Sequence, residues 1–155
     1  MRYTETKTLS PTMEARMFSW NKAFETGIEE IDRQHQELFR IGSELYRNLE
    51  AEPGRVLGDH ILDCLESLAM YAAFHFETEE SLFDRYGYTD CEAHIQEHRE
   101  FIAHLEGFDL EQADRDQNAA VRDLLSFISQ WIFRHISKTD FRYTAHLKAR
   151  MNITA

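Results

Sequence analysis

The feature that most restricts how this chain can fold is a set of seven polar residues: His35, His75, Glu79, His94, His98, His135 and Asp140. Six of them fall on the apolar stripes of helical segments. An imidazole or carboxylate buried there without a partner costs several kcal/mol, so something must satisfy it. Five imidazoles and two carboxylates are too many donors for one ordinary four-coordinate zinc ion. Two metal ions bridged by carboxylates match the count better.

The stripes themselves are read from apolar residues recurring in steps of three and four. The first segment carries Ile28, Ile31, His35, Leu38, Gly42, Leu45 and Leu49, and Pro53-Gly54 ends it. The second carries Ile61, Leu65, Leu68, Ala72, His75, Glu79, Leu82 and Tyr86, with Gly87 suited to a left-handed C-terminal cap. Thr89-Asp90-Cys91-Glu92 reads as a capping box opening the third. Its stripe is Cys91, His94, His98, Phe101, Leu105 and Phe108. A polar connection over residues 109–118 leads to Val121, Leu124, Ile128, Trp131 and His135. With no strand pattern and short connections, the expectation is an all-α, up-down-up-down four-helix bundle with a short C-terminal helix. Residues 1–17 lack periodicity and read as a flexible N-terminal arm, leaving 18–155 as the bundle domain. Phe18, Trp20 and Phe24 are expected to pack across the helices without forming an element of their own.

Depth decides whether the seven can meet. In this topology the start of the first helix, the end of the second, the start of the third and the end of the fourth share one end. At about 1.5 Å rise per residue, the stripe ligands lie within roughly 10–15 Å of that end. His75 and Glu79, like His94 and His98, are four apart and so stack on one helix face. His135 and Asp140 are five apart, which on a continuous α-helix turns them about 140° from each other. Asp140 joins only if the helix ends or bends near Ser137–Thr139, and neither Gly nor Pro marks a break there.

Composition excludes several functions. A formal charge of −11 argues against nucleic acid and anionic membranes, which need clustered Lys and Arg. The longest uncharged stretches, Ser67–Phe76 and Leu124–Phe133, are too short to span a bilayer. No apolar leader follows Met1, and Cys64 and Cys91 give no disulfide framework, so a cytoplasmic location is expected. His60, His104 and His146 fall outside the ligand spacing and read as solvated or locally bonded. Glu77 and Glu80 point off the stripe and read as solvated too. Cys91 reads as a small apolar residue near the end of the site.

Imidazole-rich sites with carboxylates suit iron, zinc, copper or nickel. Bundles of the di-iron carboxylate kind use paired Glu-x-x-His motifs, and no Glu here has a His three residues later. Fewer anionic donors favour reversible binding over oxidative chemistry. The segment Trp20…Thr26-Gly27…Ile31-Asp32-Arg33-Gln34-His35 resembles the opening of a bacteriohemerythrin, of the hemerythrin family. His75-Phe76-Glu77-Thr78-Glu79-Glu80, His94-Ile95-Gln96-Glu97-His98 and Trp131-Ile132-Phe133-Arg134-His135 with Asp140 resemble the remaining motifs in order, across residues 18–145.

That resemblance implies a non-haem di-iron centre that binds O₂ reversibly. By it, His94, His98 and His135 hold one iron and His35 and His75 the other. Glu79, Asp140 and an oxo or hydroxo group bridge them. Leu38, Phe76, Trp131 and Ile136 match positions lining the oxygen pocket, and Tyr143 matches one beside the site. Oxygen storage, transport or delivery is the expected role, with no catalytic residue and no enzymatic turnover. Oxygen or redox sensing through a protein partner is the alternative, and peroxide or nitric oxide turnover ranks last.

Overall fold

The computed structural model describes residues 18–51, 59–109 and 117–153, with the side chains of 49–51, 59–61 and 117–118 left aside. The expected arm at 1–17, the Pro53-Gly54 break, the side chain of His60 and most of the polar connection fall outside them. Four long helices carry the bundle: α1 (Glu29–Ala51), α2 (Asp59–Arg85), α3 (Glu92–Glu106) and α4 (Gln117–Arg134). A π-turn, His135–Thr139, joins α4 to α5 (Asp140–Arg150). No strand occurs among the described residues, and none of their helices is long and apolar enough to cross a membrane. Helix α1 packs on α2, α2 on α3, and α1 on α4.

The helix ends follow local chemistry, with one departure from expectation. At the end of α2, Gly87 takes φ +68, a conformation that costs a residue without Cβ nothing. The Tyr88 N–H then donates to Phe83 O at 2.8 Å and the Gly87 N–H to Asp84 O at 3.4 Å. The Tyr88 and Phe83 rings meet at 5.2 Å, completing a Schellman motif with its apolar contact. The capping box expected from Thr89 to Glu92 does not form. Helix α3 starts after Cys91, which makes no side-chain cap bond.

Ahead of α1, Asp32 reaches back from the first helical turn to the chain entering it. Its carboxylate accepts from Thr26 N–H (2.7 Å), Thr26 Oγ1 (2.8 Å) and Gly27 N–H (3.0 Å). This latch sets the angle at which residues 18–27 cross the bundle. Within that crossing a single 3₁₀ turn forms at Lys22–Phe24, where no element was expected. Asn21 Oδ1 caps it by accepting from Ala23 N–H at 2.9 Å. Phe24 stacks on Phe39 of α1 at 5.5 Å, edges against Phe133 of α4 at 5.6 Å and meets Trp20 at 5.7 Å. Phe18 lies so close over Gly42 that a Cβ there would sit 2.3 Å from Phe18 Cδ1.

Among the described residues most of the stripe positions are buried, with Leu65, Leu105 and Phe108 half-buried, and they form two clusters. One runs through the body of the bundle and includes Leu45, Leu68, Phe101, Leu125 and Ile128. The other, Ile28, Ile31, Leu82, Phe83, Tyr143 and Leu147, plugs one end, with α5 supplying the last two. Burying a side chain of this size stabilises by roughly 1.5–3 kcal/mol. Between the two clusters lies a layer of buried polar groups.

Candidate metal centre

That layer holds all seven predicted residues, none more than 5% exposed. His35 comes from α1, His75 and Glu79 from α2, and His94 and His98 from α3. His135 opens the π-turn and Asp140 follows it. The Asp140 N–H donates to His135 O, an i→i+5 bond that takes one more residue into the turn than an α-helix does. The helix therefore does not end between the two residues. The wider turn brings position 140 over position 135, and this local change cancels the 140° divergence expected of a regular α-helix. It needs neither Gly nor Pro.

The donors converge on two points. Glu79 Oε2 lies 3.0 Å from His98 Nε2 and 3.3 Å from His94 Nε2, while Oε1 faces His75 Nε2 at 3.4 Å and His35 Nε2 at 3.8 Å. Asp140 Oδ1 lies 3.1 Å from His94 Nε2 and 3.0 Å from His135 Nε2, while Oδ2 is 3.0 Å from His35 Nε2. Each carboxylate thus gives one oxygen to each group. Two sets of donors, Glu79-His94-His98-His135 and His35-His75-Glu79-Asp140, each lie within 4.8 Å of one another, and Asp140 Oδ1 joins the first set through its contacts with His94 and His135. Two donors each roughly 2.1 Å from a common ion, at right angles, stand roughly 3.0 Å apart. Five of the observed spacings, 3.0–3.3 Å, come close to this, and the two from Glu79 Oε1 are wider at 3.4 and 3.8 Å.

Alignment separates this arrangement from a hydrogen-bonded one. Both Asp140 oxygens, His35 Nε2 and His75 Nε2 are buried and make no aligned hydrogen bond despite their near neighbours. They point past each other, as lone pairs directed at a shared cation do.

The outward-facing nitrogens explain which atoms face in. His98 Nδ1 donates to Glu80 Oε1 at 2.8 Å, and His135 Nδ1 to Glu97 Oε2 at 2.8 Å. Thr139, inside the π-turn, donates its hydroxyl to the same Glu97 oxygen at 3.0 Å. On the other side, Thr78 Oγ1 donates to Phe74 O and accepts from Gln34 Nε2, so Gln34 Oε1 is left to accept from His75 Nδ1 at 2.8 Å. An imidazole donating through Nδ1 presents a bare Nε2 lone pair when neutral. His98 and His135 bring those two nitrogens to within 3.1 Å of each other, a spacing that either a shared proton or a cation bridges.

Glu80 is therefore not a purely solvated residue, because its position one residue past the stripe brings its carboxylate beside His98. Gln34 and Glu97 stand in the motifs with no role that the sequence assigns them. The signal that finds them is the need of each ligating imidazole for an outer acceptor. His146 also departs from expectation: its Nε2 pairs with Tyr86 O at 3.0 Å, sixty residues away, and ties α5 to the end of α2. His104 is exposed and stacks on Phe127 at 3.8 Å. Glu77 is exposed, and Cys91 is half-buried against the end plug, both as expected.

Electrostatics follow the same plan. Burial disfavours a charged His35, but Asp140 and Glu79 outweigh it and raise its pKa to about 9. Burial likewise opposes charge on His135, and Asp140 and Glu97 carry it up to about 10. His94 is raised against the same burial penalty by Asp140 and Glu79. For His75, burial prevails and the pKa falls. Burial works against both carboxylates, yet the surrounding imidazoles hold Glu79 and Asp140 well below the ordinary range. Without metal, protons sit where cations would neutralise the buried charge. Glu97, bonded to His135 and half-buried, falls to about 2.

Tyr143 is fully buried and donates its hydroxyl to Glu79 Oε1 at 2.6 Å. Burial and the two carboxylates push its pKa well up, so it remains a donor. Leu38, Phe76, Trp131 and Ile136 are all buried in the bundle-body cluster. Phe76 stacks on His98 at 3.9 Å and lies 5.8 Å from His75, while Trp131 stacks on His135 at 4.3 Å.

Comparison with known proteins agrees with this geometry. The family described as the hemerythrin HHE cation binding domain matches residues 26–147. A bacteriohemerythrin from Clostridium acetobutylicum is 37% identical over 127 residues, covering 82% of this chain and 98% of that protein. Another, from Stenotrophomonas maltophilia, is 30% identical over 134 residues, covering 86% and 83%. A hemerythrin-like protein from Naegleria gruberi is 27% identical over 127 residues, covering 81% and 90%. With its helical bundle, its buried histidine–carboxylate layer and these relatives, the chain belongs to the hemerythrin family.

Proposed function

We propose that this protein binds O₂ reversibly at a pair of iron ions, for oxygen storage or delivery. The observation that carries the reading is the unequal donor count around two shared carboxylates. His94, His98 and His135 with one oxygen each from Glu79 and Asp140 make five donors; His35 and His75 with the other two oxygens make four. The first set would thus hold its ion with more protein donors than the second, which would leave room there for a small ligand. When bound, a ferrous pair supplies the two electrons that O₂ takes up on binding and returns on release.

The chain's own groups keep this exchange reversible. Glu79 and Asp140 hold the two positions at a common distance, and Tyr143 steadies Glu79 through its hydroxyl. Phe76 and Trp131 cover the imidazoles of His98 and His135, and Leu38 and Ile136 extend the same apolar cluster. An apolar surround penalises release of a charged oxygen species, so oxygen leaves as the neutral molecule. We infer no enzymatic turnover and a cytosolic location, the latter in keeping with two free thiols, Cys64 and Cys91.

The test is anaerobic reconstitution with ferrous iron, metal analysis, then exposure to air. Two irons per chain and a visible band that appears in air and vanishes on deoxygenation are expected. Rapid irreversible conversion to a diferric form, or peroxide or nitric oxide consumption over many turnovers per site, overturns it.

A further inference from the structure

The partners behind the imidazoles are not alike on the two sides. Behind the three-histidine position, two of the three imidazoles, His98 and His135, each donate to a carboxylate, Glu80 and Glu97, at 2.8 Å. Behind the two-histidine position, His75 donates to the neutral amide of Gln34. His35 Nδ1 is buried with no hydrogen-bond partner at all among the described residues. We propose that Gln34, Glu80 and Glu97 make the two metal positions electronically unequal, so that the ion held by His94, His98 and His135 is the first to lose an electron to an outer-sphere acceptor.

The physical reason is the outer hydrogen bond's effect on the ligand. A carboxylate accepting from Nδ1–H raises the basicity of Nε2, and a more basic imidazole stabilises the higher charge on its ion. An amide carbonyl does this weakly, and an absent partner not at all. The arrangement is built in two ways: Thr139 clamps Glu97, and Thr78 orients Gln34 so that only its carbonyl faces His75. The three residues are positioning residues, acting through His75, His98 and His135. In consequence, the ion that His35 and His75 would hold stays reduced longer than its neighbour.

This inference rests on the di-iron reading, and iron content separates the two. The experiment is spectroelectrochemical titration of the iron-loaded full chain, reading both one-electron midpoints in wild type, Glu80→Gln, Glu97→Gln and Gln34→Glu. Glutamine keeps shape and a carbonyl acceptor at positions 80 and 97, so ring orientation is retained and only the charge is lost. Each of these two variants is expected to lower the ferric preference of the first step about tenfold, a rise of about 59 mV for one electron, with a smaller change in the second. Gln34→Glu should lower the second midpoint by a similar factor; if it loads no iron, positions 80 and 97 decide. Two irons with unmoved midpoints, or with both steps shifted equally, overturn the proposal. Fewer than two irons in the wild type overturns the reading beneath it.

Discussion

Tyr143→Phe tests the layer at its most enclosed hydrogen bond. The Tyr143 ring packs against Phe83 at 5.0 Å and His94 at 5.5 Å, contacts that phenylalanine keeps. What is lost is one hydroxyl donor, 2.6 Å from a fully buried carboxylate oxygen. A hydrogen bond to a charged group contributes about 1.5–3 kcal/mol, and Glu79 is fully buried. The metal-free variant should therefore be less stable by about 2 kcal/mol. With a urea slope of ~1.5 kcal/mol/M, the unfolding midpoint falls by roughly 1.3 M. Helix content measured by circular dichroism should not change. A double-mutant cycle with Glu79→Gln should show about 1 kcal/mol of coupling. A midpoint drop below roughly 0.3 M with no coupling would refute the argument, because the hydroxyl would then not be serving Glu79.

Glu79→Ala removes an oxygen from both groups at once, so metal analysis should find both ions lost, whereas a single-ion deficit would mean the carboxylate does not bridge. Gly42→Ala gains up to about 1 kcal/mol in helix propensity, but its Cβ meets Phe18 at 2.3 Å; a net loss of about 1–2 kcal/mol is expected, and a gain in thermal stability would show that Phe18 yields freely. The pH dependence of the metal-free protein has a definite sign. His35 and His135 have folded pKa values of about 9 and about 10, above the ordinary 6.5, so their stabilisation is full below pH 6.5 and is lost as pH rises through 9 to 10. Glu79 and Asp140, depressed from 4.5 and 3.8, stabilise above those values and cease to do so as pH falls below them. Urea midpoints should thus peak between about pH 4.5 and 6.5, where both sets contribute fully; a midpoint still rising at pH 10 would contradict the assignment.

The helices, their buried stripes and the depth of the polar layer were legible in residue order, because all three depend on short-range periodicity along one chain. His75 with Glu79 and His94 with His98 share a face wherever a helix forms. Gly87 likewise fits its cap by its own backbone freedom. The π-turn at His135–Thr139 was not legible, since no residue there breaks a helix; the turn forms where the convergence of donors in three dimensions favours Asp140 facing inward. Gln34, Glu80 and Glu97 were hidden for a related reason. They lie on helix flanks, and what a flank residue meets depends on how its neighbour is rotated, which only packing decides. Tertiary structure alone therefore decided which carboxylates and which amide stand behind the histidines, and so how the two halves of the centre differ.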